Sequence, residues 1–136
     1  MNFKSKKHAE RFRKALVEAK VGPEDAEIMA AFYILTEYKR VWQQFEGYID
    51  HKNGLDPEAF DSFEERNQSE MALVTAAYDL LYCADCINIT DLTDLDIIPT
   101  DAFAIIFRVI TYLRVGHFNE ETIADAKESV KNKKKH

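Results

Sequence analysis

The chain has 136 residues and a formal net charge of -6, with 46% hydrophobic residues, 12% aromatic residues, four glycines and three prolines. This length and composition predict one globular domain with a substantial core, and they exclude wholesale disorder and a turn-rich β-sandwich. Apolar runs such as 102–107 are far too short to span a membrane, and no apolar leader segment follows the basic start. We therefore expect a cytoplasmic protein that makes no contact with a membrane.

The charge is distributed unevenly along the chain. Residues 1–43 contain nine Lys/Arg against six Asp/Glu, residues 44–101 contain two against 14, and residues 102–136 contain seven against four. The three blocks therefore carry charges of +3, -12 and +3. The acidic middle block must be paired with the basic flanks, solvated, or presented to a cationic partner.

Apolar positions that recur every three and four residues predict two helices in the first part of the chain. Ser5 can cap the first helix, which is strongly basic and ends at Gly22-Pro23. The second opens with acids at 24–27 and follows an apolar stripe to Ile49, with tyrosines off that stripe. A second helix of this length and pattern should bury more than one face.

Further helices are predicted in the rest of the chain. Turn signals at 53–57 precede one or two helical turns, and Ser69 can cap a helix that carries two apolar stripes. The segment 85–101 contains aspartates but no lysine or arginine. Thr100 can cap the most apolar helix of the chain, and Asn119 can cap the last one.

These elements predict an all-α fold, namely a compact single-domain bundle of five or six helices over residues 1–130. The apolar helix at 102–115 should lie at its centre because it is hydrophobic on nearly every side. Residues 131–136 form a basic tail that we expect to fray.

Cys83 and Cys86 form a C-x-x-C pair at the end of a helical pattern. Three interpretations are open: two small residues packed at a helix end, half of a zinc site, or a redox pair. A redox pair normally lies at a helix N-terminus, and zinc would need two more ligands. The histidines stand at His8, His51, His117 and His136, without finger-like spacing. The position of the pair favours the structural interpretation.

The aspartates of the segment 91–96 do not fit a calcium loop, because leucines lie among them and the central glycine of an EF-hand is missing. The sequence contains no nucleophile elbow, phosphate-binding loop, dinucleotide-binding glycine pattern or H-E-x-x-H motif. Glu64-Glu65, or Asp94 and Asp96 beside a histidine, are the candidates for general acid–base work. We expect no cofactor, no metal and no enzymatic activity.

Arg108 lies on the apolar helix at 102–115. Its guanidinium group cannot lose its proton, so it must find an acceptor or reach solvent. Because acids are abundant in the chain, we expect Arg108 to pair with an acid of the middle block rather than to hold an anionic ligand.

The charge distribution also bears on nucleic-acid binding. Direct binding is disfavoured because phosphate contacts need a cationic surface, which only the first helix and the tail could offer. The converse is an open alternative, in which the acidic block imitates the charge of a duplex and occupies a nucleic-acid-binding partner.

Four segments of the sequence resemble a known family. They are FKSKKHAERF at 3–12, AFYIL at 31–35, ALVTAAYDLL at 72–81, and the Leu95-Asp96 step before the apolar helix. These segments resemble a domain-of-unknown-function family of small helical proteins found in Gram-positive bacteria, their phages and mobile elements. The resemblance implies no catalytic residue, but it implies a setting in which a small protein binds and inhibits a host protein.

We therefore predict a non-enzymatic acidic interaction module whose partner is a larger host or phage protein with a cationic surface. The specific form suggested by the resemblance is a phage or mobile-element inhibitor of a host defence protein. Three alternatives are a nucleic-acid-mimicking inhibitor, a small-ligand or metal-dependent enzyme, and a homo-oligomeric structural module. The predicted partner-binding residues are Glu58, Asp61, Glu64, Glu65, Glu70, Asp94 and Asp96.

Overall fold

The computed structural model describes residue 3, residues 5–116 and residues 120–134. These residues are mostly helical, and the one sheet among them is a short antiparallel pair in which Ile49 faces Leu55. The all-α class is therefore confirmed. In chain order the elements are α1 (Lys6–Glu18), α2 (Ala26–Leu35), α3 (Lys39–Phe45), a 3-10 turn (Glu46–Tyr48), β1 (Ile49–Asp50), β2 (Gly54–Leu55), α4 (Glu58–Asp61), α5 (Gln68–Tyr82), α6 (Ile89–Leu92), α7 (Thr100–Val115) and α8 (Glu120–Lys134).

The described residues form eight α-helices, against the five or six expected. Three of the eight, α3, α4 and α6, have seven, four and four residues. Such short helices lack a full apolar stripe, so periodicity alone does not define them. The structure thus divides into five long helices and three short connecting ones.

The centre of the core is α2. All residues from Met29 to Leu35 are buried, and the helix packs against α1, α3, α5 and α7. The helix α7 was expected at the centre, but it buries only one side and leaves Phe103 and Phe107 exposed. Its buried side packs on α2 and α5, while α8 lies against α1 on the other side of the bundle.

The helix predicted to continue to Ile49 ends at Leu35. The hydroxyl group of Thr36 donates to the carbonyl oxygen of Phe32 at 2.6 Å. From α1, the guanidinium group of Arg11 donates to the carbonyl oxygens of Thr36 at 2.8 Å and Glu37 at 2.9 Å. These bonds satisfy backbone oxygens at the helix end, so the chain can turn there and begin α3.

A histidine–glutamate pair is buried beside this turn. The side chains of His8 and Glu37 are 0% and 2% exposed, and Nδ1 of His8 lies 2.8 Å from Oε2 of Glu37. The other ring nitrogen, Nε2, is 2.9 Å from the carbonyl oxygen of Tyr33. A carbonyl oxygen can only accept a hydrogen bond, so Nε2 carries a hydrogen and Nδ1 is the ring nitrogen that faces Glu37.

The two side chains are in close contact, but their geometry is not that of an ideal hydrogen bond. Although they are 2.8 Å apart, neither Nδ1 of His8 nor Oε2 of Glu37 makes a well-aligned hydrogen bond. Glu37 also interacts electrostatically with Arg11 and Arg108. Several positive or polar groups thus offset the cost of burying this carboxyl group.

Of the helix caps predicted from the sequence, one is confirmed and two are wrong. The hydroxyl oxygen of Ser5 accepts from the backbone of His8 at 3.1 Å, which confirms the predicted cap of α1. The cap of α5 is Asn67 rather than Ser69, and α7 follows Pro99 with Thr100 as its first residue. Neighbouring polar residues compete for a cap, and the sequence does not decide between them.

The end of the chain is helical where it is described. The helix α8 continues to Lys134, so most of the predicted basic tail belongs to it. The predicted cap Asn119, the histidines His117 and His136, and the last part of the tail lie outside the described residues. In the part of the chain that the structure describes, no helix is long and apolar enough to cross a membrane.

We predict that replacing Glu37 by alanine lowers the free energy of unfolding by about 3 kcal/mol, because the ring of His8 would stay buried without its partner. Chemical denaturation measures this change. The exposed Glu27 on α2 is the matched control, and Glu27→Ala should cost no more than about 0.5 kcal/mol.

The double variant His8→Leu with Glu37→Leu should cost less than Glu37→Ala alone, because it removes both polar partners together. A Glu37→Ala variant that is as stable as Glu27→Ala would show that the buried pair does not stabilise the fold.

Candidate interaction surface

The predicted acidic residues are mostly at the surface. The exposed ones are Glu58 and Asp61 on α4, Glu64 and Glu65 in the loop that follows, and Asp94 and Asp96 before α7.

Glu70 is an exception, since it is only 3% exposed. Its Oε1 atom accepts from the backbone nitrogen of Arg66 at 2.7 Å and lies 3.3 Å from Nη1 of Arg40. Glu70 lies in the first turn of α5, where a carboxyl group also interacts favourably with the helix dipole. The prediction that Glu70 is available to a partner is therefore wrong, because its carboxyl group already has partners inside the fold.

Two acidic stretches, 64–65 and 94–96, lead into helix starts that are bonded to each other. The side-chain amide of Gln68 donates to the carbonyl oxygen of Ile97 at 2.7 Å, and the hydroxyl group of Ser69 donates to Asp101 at 2.7 Å. These bonds join the start of α5 to the start of α7. Glu64 and Glu65 precede the start of α5 by only a few residues, and Asp94 and Asp96 precede the start of α7 in the same way. We call Glu64, Glu65, Asp94 and Asp96 the acidic end.

Within the acidic end, the main chain of Glu64 is held in place by α3. Nη1 and Nη2 of Arg40 donate to the carbonyl oxygen of Glu64 at 3.2 and 3.1 Å. The side chain of Gln44 both donates to this carbonyl oxygen at 3.2 Å and accepts from the backbone nitrogen of Glu64 at 2.9 Å. The loop is thus fixed through its main chain, while the side chain of Glu64 stays at the surface.

Several aspartates have structural roles inside the fold. Asp91 and Asn88 form a reciprocal capping box at the start of α6. Oδ1 of Asp94 accepts from the backbone nitrogen of Asp96 at 2.9 Å, as in an Asx turn. Asp101 accepts from Ser69, and this hydrogen bond lowers the pKa of its carboxyl group. Part of the acidic block is therefore used in the fold.

An exposed apolar stripe runs along α7. The rings of Phe103 and Phe107 are stacked with centroids 5.9 Å apart, and Phe107 is 59% exposed. Ile110 continues this face of the helix. We call Phe103, Phe107 and Ile110 the α7 stripe. Just before the helix, Leu95 is also exposed, at 70%.

Sequence reasoning missed the α7 stripe because it assigned every apolar residue of the helix to the core. A signal was nevertheless present. The buried positions, Ala102, Ile105, Ile106, Val109 and Tyr112, already form a complete apolar face at helical spacing. Phe103 and Phe107 lie on the opposite face.

Arg108 donates to the hydroxyl group of Tyr33 at 3.1 Å rather than to an acid of the block 44–101. Burial raises the pKa of Tyr33 to about 12, although the bond from Arg108 acts in the opposite direction. Tyr33 contacts His8 through its ring, with centroids 4.7 Å apart. Arg108 therefore belongs to the polar group around the His8–Glu37 pair.

The cysteine pair lies at the end of α5, as predicted, but both thiols are free and exposed rather than packed. Asp79 accepts a hydrogen bond from the backbone nitrogen of Cys86 at 2.8 Å, and its interaction with the thiol raises the pKa of Cys86. A raised pKa lowers the thiolate fraction that redox chemistry requires. Among the described residues, no three His, Cys, Asp or Glu side chains converge in a way that could hold a metal ion.

We predict that Ser69→Ala raises the pKa of Asp101 towards its ordinary value, which carboxyl-carbon NMR titration would measure. A lowered folded-state pKa stabilises the fold above the ordinary pKa of the group, and this contribution is lost as the pH falls through the folded-state value. The cost of Ser69→Ala, about 1 kcal/mol at pH 7, should therefore shrink in strong acid. An unchanged Asp101 titration in the variant would contradict this assignment.

No protein-family model, curated protein or solved structure matches the chain.

Proposed function

We propose that the protein is a non-enzymatic interaction module that binds a larger protein with a cationic surface. The observation that carries this proposal is the exposed α7 stripe, which begins a few residues after the exposed acids Asp94 and Asp96. Asp96 is only four residues from Thr100, where α7 begins. Phe103 and Ile110 then extend the surface by about 10 Å along the helix axis.

The exposed apolar side chains support a protein partner. Phe107 and Leu95 are more than half exposed, and a contiguous exposed apolar patch rimmed by polar groups is typical of a binding surface. Protein interfaces are enriched in aromatic residues at their centre and place charges at the rim. A surface that only imitated the charge of a duplex would have no use for the stacked pair of Phe103 and Phe107.

The two parts of the surface have different physical roles. Exposed charges such as Glu65 accelerate association and select partners of opposite charge, and salt screens their effect. Buried apolar contacts at Phe107 contribute most of the affinity and depend little on salt. We therefore expect a complex whose association rate falls as ionic strength rises, while its dissociation rate changes little.

The family resemblance supports an inhibitory form of this role. In a phage or mobile-element setting, occupying a cationic surface of a host protein would block the site by which that protein binds its own anionic ligand. The compact size of the chain suits this role, because the proposed surface is carried by two helix ends and one helix face.

We predict that the charge-reversed variant Glu64→Lys, Glu65→Lys, Asp96→Lys loses the partner that the wild-type chain captures. Each protein would be immobilised and exposed to a lysate of the source organism at low and high salt, and bound proteins would be quantified by mass spectrometry. The residues chosen are exposed, and their side chains accept no hydrogen bond from another residue that the structure describes, so the fold should tolerate the changes.

The matched control changes the net charge equally on other surfaces, through Glu24→Lys, Glu27→Lys and Glu46→Lys. It should retain the partner that the first variant loses. Equal capture by both variants, or capture that high salt does not weaken, would overturn the proposal. Phe107→Ser should weaken capture at both salt concentrations, because its contribution is apolar.

A further inference from the structure

We propose that an apolar slot between α5, α7 and the segment 87–92 binds a small uncharged apolar molecule, such as a single ring or a short branched alkyl group. The slot has a volume of about 150 Å³. It lies on the side of α7 that faces α5, and Ile110 is at its rim. Its wall includes Ile34, Ala76, Leu80, Ile87, Leu92 and Val109.

The chemistry of the wall selects for an apolar ligand. Among the described residues that line the slot, Asp79 alone is polar. Its Oδ1 and Oδ2 atoms accept from the backbone nitrogens of Cys86 and Ile87, each at 2.8 Å. Both carboxylate oxygens thus already have a donor. An anionic ligand group would lose its hydration in the slot and would face the negative charge of Asp79 without gaining a partner of opposite charge.

The size of the slot sets the size of the ligand. Enclosed apolar protein cavities of about 150 Å³ hold benzene or xenon, so a single ring is the size of ligand that the slot can accommodate. Water in the slot finds few hydrogen-bond partners, because the wall is apolar apart from Asp79. An apolar ring would instead make dispersion contacts with the aliphatic wall on several sides.

The outer wall of the slot offers a route of entry. It belongs to the segment 84–98, which leaves α5 through two non-glycine residues in the left-handed region, Cys83 at φ 51° and Asp85 at φ 56°. Ile87 and Leu92 face the slot but are only half-buried, and Ile89 is 80% exposed. A weakly packed wall of this kind can move outwards to admit a ligand and pack against it afterwards.

The test is to titrate benzene into the wild-type protein. The methyl NMR signals of Ile34, Leu80 and Val109 are followed during the titration. We expect saturable shifts at these three methyl-bearing residues, with a dissociation constant in the millimolar range. Benzoate, which has the same ring and a negative charge, should cause no such shifts. Ala76→Leu should weaken benzene binding at least about tenfold, because the added carbons occupy the slot.

The matched control is Ala124→Leu, which adds the same side chain at an exposed position on α8 and should leave benzene binding unchanged. Three results would overturn the proposal: no saturable shifts, shifts at Ile110 alone, or equal binding of benzoate. If Ala76→Leu does not fold, the comparison of benzene with benzoate on the wild-type protein decides the question. None of these measurements involves the acidic end, so failure of the slot is distinguishable from failure of the proposed function.

Discussion

The buried pair of His8 and Glu37 is the constraint on which the arrangement of the helices depends. Two ionisable groups that are almost fully buried must keep each other as partners, since losing one would leave the other desolvated and unpaired. Together with the bond from His8 to the carbonyl oxygen of Tyr33, the pair holds α1 against the C-terminal part of α2. Because α8 packs on α1, its position follows from the same contact.

The end of α2 in turn positions the acidic end. Arg11 satisfies carbonyl oxygens at the turn after Leu35, and the chain can then form α3 in a new direction. From α3, Arg40 holds both the main chain of Glu64 and the carboxyl group of Glu70. Arg11 of α1 therefore helps to position the proposed binding surface, because it stabilises the end of α2 from which α3 departs. The +3 charge of the first block is partly used inside the fold.

The helix α7 connects the two proposals. One face packs on α2 and α5 and borders the apolar slot, while the opposite face carries Phe103 and Phe107. The segment that closes the slot continues directly into Asp94, Leu95 and Asp96 of the proposed interaction surface. A ligand that shifted this segment would therefore also move part of the surface, which would give the two sites a physical means of influencing each other.

The sequence by itself determined the properties that depend on neighbouring residues: the helical class, the cap at Ser5, and the position of the cysteine pair at a helix end. The tertiary structure alone decided which side chains are covered. Glu70 and Phe107 illustrate this, since a glutamate in an acidic stretch is buried and a phenylalanine in an apolar helix is exposed. Periodicity shows that a helix has an apolar face, but burial depends on which other element packs there. The pairing of His8 with Glu37 likewise joins residues far apart in the chain, and no local pattern indicates it.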